Sequence, residues 1–425
     1  MKQEKKDKKK KNKFTDSESA INKKLNSKSD FKLYELILFA FLIAIASCIL
    51  TFVLSYQLNW NNNSNTNNVL KKDDLKEIRE VYNVINDSYF EKVDKNKLIN
   101  GAIDGMLSSL DDPHTNYMDK ETTENFDLMM DGEYKGIGVE IAQTKDNEIV
   151  VFGVFKNSPA YNAGIKPLDV IISVDNKKTE GLSTTEVVKL IKGNSKKEVL
   201  IKVKREDKEL EFNVKKDNVI IESVESRIIE KDKKKIGYVI VNNFASNTYE
   251  QFRYNIEELE KSNINGLIID VRGNSGGYLH VVSNMIDMFL PKDKVMYKIA
   301  DRKKTVEYKA QTVESRNYPI AVLINEASAS ASEILAISLK ESYNAFIVGK
   351  NSYGKGTVQI TKDLNSGGMI KYTVNKWLSP KGNWINKKGV TPTHEVELPE
   401  DFYKNPSDDG DTQLQKAVEL ILNSK

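Results

Sequence analysis

Three serines alternate in EASASASEIL, residues Glu326 to Leu335: Ser328, Ser330 and Ser332. The apolar run AVLIN before them reads as a buried strand, and the residues after them read as a helix. Small side chains permit a tight turn between the two. A serine at that turn would expose its Oγ beside the first helix N–H groups, which favour developing negative charge. Helix capping and close packing would equally account for all three hydroxyls. A second stretch, GKNSYGKGTVQI, carries Lys355 between two glycines. An ordinary lysine, with a pKa near 10.4, leaves only about 0.1% neutral amine at pH 7.4. Burial in an apolar pocket lowers that pKa and makes the amine a base able to take a serine proton. If Thr357 to Ile360 is extended, Lys355 and Gln359 project to one face, and Gln359 could orient the amine. A third stretch, VRGNSGG (Val271–Gly277), ends another apolar run. Consecutive glycines there let backbone approach a ligand and offer an N–H to an oxyanion, although they would serve equally in a plain turn.

GKNSYGKGT also has the spacing of a nucleotide phosphate loop. The context fails: Gly356 stands where Ser or Thr should reach magnesium, and TVQI is β-branched where a helix should begin. His114, His280 and His394 are the three histidines, none in a recognisable catalytic setting, and the one cysteine, Cys48, lies in an apolar run. No thiolate metal site, disulfide or cysteine nucleophile is therefore expected outside that run, and neither metal nor other cofactor is called for.

Together these stretches resemble the carboxyl-terminal processing proteases, a bacterial and chloroplast serine protease family with a Ser-Lys dyad and a PDZ domain. SASASEI followed 25 residues later by the lysine of GKGTVQ carries the likeness; RGNSGG, LDDPHTNYMD and LSPKGNWINKKGVTP support it, over roughly residues 75 to 423. The resemblance implies Ser330 as nucleophile, Lys355 as general base and Gln359 as the residue positioning that lysine. It implies oxyanion donors at the Ala331 N–H and at one N–H of Gly276–Gly277. It also implies a PDZ domain whose GIGV loop (Gly136, Ile137, Gly138, Val139) takes a peptide carboxylate while the peptide adds as a strand. SPAYNAGIKPLDVIISVDN resembles the usual PDZ run, with Leu168 and Asn176 at positions where glycine is common, and Lys192 stands where the family often has arginine.

The elements that must hold these residues follow from periodicity. Leu75, Ile78, Val81, Tyr82 and Ile85 recur at helical spacing, and Leu98–Leu110 reads as a second helix ended at Pro113. From Tyr134 short strands appear with one helix, Ser183–Gly193, opened by a serine cap. After Lys235 strands and helices alternate, which indicates an α/β layered core with largely parallel strands; the resemblance makes that core ClpP/crotonase-like, with the PDZ domain inserted. The expected order is a basic tail (1–33), an apolar span (34–58), an Asn-rich linker (59–72), a helical region (73–130), the PDZ domain (131–207), the protease core (208–400) and a C-terminal helix (401–425).

Leu36 to Leu54 is uncharged and long enough to cross roughly 30 Å of hydrocarbon as a helix. About a dozen lysines precede it, so the expected orientation leaves the N-terminus in the cytoplasm and everything from about Asn59 outside the cell membrane. The chain's net charge is +3, but the positive excess sits in that tail and the rest is mildly acidic, so no basic groove argues for nucleic acid. The expected protein is a membrane-anchored serine endopeptidase acting on substrates with apolar C-termini, forming a homodimer or larger homo-oligomer as family members often do. A non-catalytic PDZ scaffold would keep GIGV but would need neither Ser330 nor Lys355.

Overall fold

The computed structural model describes residues 73–193, 197–313 and 316–424. The apolar span Leu36–Leu54 and the Asn-rich linker lie outside them. Among the described residues no helix is long and apolar enough to cross a membrane. The chain divides into two compact units at Lys95/Asn96. In the first, the helix Asp74–Ser88 is amphipathic, and Leu75, Ile78, Val81 and Val84 on it are exposed.

The second unit is mixed α/β. Its centre is a six-stranded sheet ordered Val224–Lys231, Lys234–Val241, Gly266–Asp270, Ile320–Ile324, Phe346–Gly349 and His394–Glu395. The first pair is antiparallel and every later pair is parallel. Gly266–Asp270 and Ile320–Ile324 are buried at every position, as parallel strands covered on both faces require. One face packs against helices Thr248–Lys261, Leu279–Asp287 and Ala331–Ser338 through Phe252, Ile256, Val282, Met285, Ile334 and Leu335. The other is covered by the C-terminal helix Thr412–Asn423, whose Leu414, Ala417, Val418 and Ile421 lie on Ile268, Ala321 and Leu323. The Asp411 side chain caps that helix, and it is also held by Arg272, which bridges Asp270 and Asp411 at 2.6 and 2.8 Å.

A second sheet is built around the long strand Met369–Leu378, which pairs with Thr357–Asp363, Asn116–Met118 and Val295–Ala300. LDDPHTNYMD is thus more than a helix stop: its Asn116–Met118 is a strand of the core's second sheet, a pairing across some 250 residues that local pattern cannot reveal.

The small domain is a five-strand path with a free edge at Val139–Gln143 and the helix Thr184–Lys192 beside it, capped by Ser183. The expected boundary at residue 207 needs correction. Lys208–Lys215 pairs residue by residue with Glu198–Arg205, so 207 falls in a hairpin turn and the domain continues to Lys215. Glu133–Gly136 then pairs with Asp217–Ile220, tying together the two connections of the insertion. Asn176 forms a two-residue turn with Asp175, both left-handed, the geometry a tight hairpin prefers and Asn tolerates.

Candidate active site

Three neighbouring parallel strands send their C-terminal ends toward one place. Gly266–Asp270 leads into the Arg272–Gly277 loop, Ile320–Ile324 into the serines, and Phe346–Gly349 into the Lys355 loop. The C-terminal edge of a parallel sheet is where loops of this architecture build sites. A cavity of about 860 Å³ opens there, lined among others by Gly276, Gly277, Ser330, Ala331, Lys355 and Gln359. Its apolar wall includes Phe126, Met130, Tyr278 and Val358.

The three serines separate by their partners. Ser328 and Ser332 are fully buried, and their hydroxyls donate to the carbonyls of Val271 and Asn274, both at 2.8 Å. They stitch the serine turn to the glycine loop. Ser330 is half-buried and lines the cavity. Its φ of 55° and ψ of −112° are a combination that side chains rarely adopt, costing on the order of 1–3 kcal/mol. The first N–H of the helix that follows belongs to Ala331, which lines the cavity beside Ser330.

Asn274 settles which glycine N–H is free. Its Oδ1 accepts the Gly276 N–H at 2.8 Å, while its Nδ2 donates to the Val241 carbonyl. Among the described residues the Gly277 N–H has no acceptor, and Gly277 sits in an isolated parallel bridge with Phe244 that directs it away from that strand. The glycines are required here. A Cβ on Gly276 would stand 2.9 Å from the Ser330 Cβ, and one on Gly277 would stand 2.3 Å from the Phe244 carbonyl oxygen.

Lys355 is half-buried on the loop before the strand Thr357–Asp363, not on that strand. A register shift at Val358/Gln359 further breaks the alternation. The expectation that a period of two carries Lys355 and Gln359 to one face is therefore corrected: the loop and the bulge bring both to the cavity. No helix follows Lys355, so the phosphate-loop geometry is absent here too. Burial, then the like charge of Lys371, holds the Lys355 amine below the ordinary lysine range, with Glu333 and Asp112 opposing. The Gln359 amide nitrogen donates to Thr357 and Thr373 at 2.9 and 3.0 Å. Its two donors are so used, and its carbonyl oxygen is the end able to accept from an amine.

Glu333 is the residue the sequence reading missed. It is fully buried, and its carboxylate accepts four hydrogen bonds. Oε2 takes the N–H groups of Ser330 and Lys355 at 2.8 and 2.9 Å. Oε1 takes the Gly354 N–H at 2.7 Å and the Ser352 hydroxyl at 2.6 Å. One side chain thus fixes the main chain at both Ser330 and Lys355. Four donors offset the desolvation of a buried carboxylate that makes no salt bridge among the described residues. The pattern S-x-x-E at the helix start was the available signal. Of the histidines, His280 lines the cavity against the Tyr278 ring, and among the described residues no hydrogen bond joins it to Ser330. His114 lies near Lys355, and burial followed by that charge lowers its pKa. His394 is on the far sheet edge with Thr393.

Comparison with known proteins gives this geometry its family. The peptidase family S41 model matches residues 235–396 and a PDZ domain model matches 136–215, with the N-terminal domain model of the activating protease CtpB at 53–122. The carboxy-terminal processing protease CtpB of Bacillus subtilis (strain 168) is 39% identical over 83% of this chain and 72% of its own length. The chain belongs to the carboxy-terminal processing proteases of peptidase family S41. CtpA of the same organism is 37% identical over 79% of this chain and 71% of its own length. Among solved structures, the photosystem II D1 C-terminal processing protease is 28% identical over 77% of this chain and 89% of that one, with a TM-score of 0.45. This S41 protease is a serine peptidase with a PDZ domain, and its substrates are proteins.

In the PDZ domain, Ile137 is buried and its carbonyl accepts the Ala160 N–H at 2.8 Å. Gly138, with φ of 82°, packs so closely on Ser158 that a Cβ would lie 2.2 Å from the Ser158 Cβ. Gly136 ends the strand before the loop and Val139 begins the free-edge strand. Lys192 ends the neighbouring helix, and its carbonyl accepts the Lys216 amine at 2.6 Å.

Proposed function

We propose that this S41 protease hydrolyses peptide bonds through a Ser330–Lys355 dyad. The observation that carries the reading is the contrast among the serines: Ser328 and Ser332 spend their hydroxyls on carbonyls, and Ser330 lines the cavity with Lys355. The neutral Lys355 amine takes the Ser330 proton as Oγ attacks the scissile carbonyl carbon. The oxyanion is held by the N–H groups of Ala331 and Gly277, because that of Gly276 is spent on Asn274. The C–N bond breaks as the leaving amine takes the proton from Lys355, leaving an ester on Ser330. Water then attacks with Lys355 again as base, releasing the acid and regenerating the hydroxyl. Gln359 offers its carbonyl oxygen to orient the amine.

The free edge at Val139 and the Gly136–Val139 loop take the substrate's apolar C-terminus as an added strand. Leu36–Leu54 anchors the enzyme in the cell membrane, with its catalytic part on the extracytoplasmic side, and the exposed apolar face of Asp74–Ser88 supports association with a second copy. Fractionation with protease shaving of intact cells tests the placement: loss of the S41 domain from whole cells supports it, and protection until lysis contradicts it.

A further inference from the structure

Lys371 has no part in the dyad, yet it opens into the same cavity. Strand pairing puts it there. Met369–Leu378 lies between two partners, with Lys371 opposite Asn116 on one side and opposite Thr361 on the other. In the same register Thr373 lies opposite Gln359, so Lys371 and Thr373, two apart, share the face that carries Gln359. The Lys371 amine stands 5.6 Å from the centre of the Phe126 ring, a contact that favours the ammonium form. Among the described residues it makes no salt bridge. Lys355 has no ring beneath it among those residues, and it faces Lys371, Glu333, Asp112 and His114. Glu333 is saturated by four donors, and the Asp112 carboxylate is engaged by the Thr115 hydroxyl at 2.6 Å and the His114 N–H at 3.0 Å. Burial lowers the pKa of both amines, and Lys355 also bears the like charge of Lys371; the Phe126 ring is a support for the charged form that only Lys371 has.

We propose that Lys371 is a positioning residue for the reaction: its retained ammonium, seated on Phe126, drives the proton off Lys355 and so primes it as the base. The inference rests on the dyad reading, and the test separates the two. In full-length protein carrying Ser330→Ala, labelling of the Lys355 amine by an acylating reagent across pH reads the amine's titration without catalysis. Lys371→Met should move that titration to higher pH, and Lys371→Arg should leave it near the starting position. In the active enzyme, Lys371→Met should lower kcat/KM at neutral pH by roughly three- to tenfold and recover at alkaline pH, because only the fraction of neutral amine has changed. An unmoved labelling titration in Lys371→Met overturns the inference. A moved labelling titration with an unmoved rate profile would leave Lys371's effect standing and remove Lys355 from the base role.

Discussion

Ser330 and Leu168 both hold a positive φ on a residue other than glycine, at 55° and 72°, and each has a buried carboxylate within three residues. The two carboxylates are satisfied in opposite ways. Asp169 is paired with a cation, the Arg205 guanidinium, at 2.6 Å, and also accepts the Lys166 N–H at 2.9 Å. Leu168 itself is 81% exposed in the turn after Pro167, where a glycine would carry the same φ without penalty. Its strain has no partner to aim at. Glu333 makes no salt bridge among the described residues, and the Lys355 amine acts on it only through its charge. Glu333 accepts neutral donors from both the Ser330 and the Lys355 main chains, so its network over-determines the strained turn. Strain held by such a network marks a site, and strain in an exposed turn marks only tolerance.

Substitutions that remove a support or relieve a strain should sharpen this contrast. Glu333→Ala leaves four donors of a buried network without an acceptor and should cost about 3 kcal/mol or more of stability, with loss of peptidase activity. Full activity in a folded Glu333→Ala protein, measured by peptide cleavage and thermal unfolding, would show that the clamp is dispensable. Ser330→Gly should abolish activity and yet stabilise the fold by about 1–2 kcal/mol, since glycine accepts that φ and ψ. Leu168→Gly should stabilise by no more than about 1 kcal/mol, because the left-handed region costs less, and should leave turnover of short peptides unchanged. Denaturant titrations of the two variants compare them directly; a larger gain at Leu168 would reverse the ranking. The smallest effect belongs to His280→Ala. It should leave kcat/KM within about twofold, because His280 has no hydrogen bond to Ser330; a loss beyond tenfold would bring a histidine base into the mechanism.

What the sequence disclosed were the local features. The serine turn, the glycine loop, the lysine loop and the GIGV strand start each lie within a few residues of their own motif. The hidden features depend on residues far apart meeting. Gly277 rather than Gly276 is left with an unpaired N–H among the described residues only because Asn274 accepts the other of the two. Glu333 looks like a helix cap until the Lys355 loop folds onto it. Lys371 reads as one more strand lysine until Asn116 and Thr361 flank it. The PDZ boundary slipped because Lys208–Lys215 could not be told from the next domain's first strand without its hairpin partner.

The central claim is that Ser330 and Lys355 form the hydrolytic pair. Full-length wild type, Ser330→Ala and Lys355→Arg, at equal folded concentration, should be given an unfolded protein ending in apolar residues, and the products followed by intact mass. Arg keeps its proton at working pH, so both variants should fall by about a thousandfold or more while keeping the wild-type unfolding temperature within a few degrees. Cleavage at the wild-type rate by a folded Lys355→Arg or Ser330→Ala enzyme would contradict the dyad.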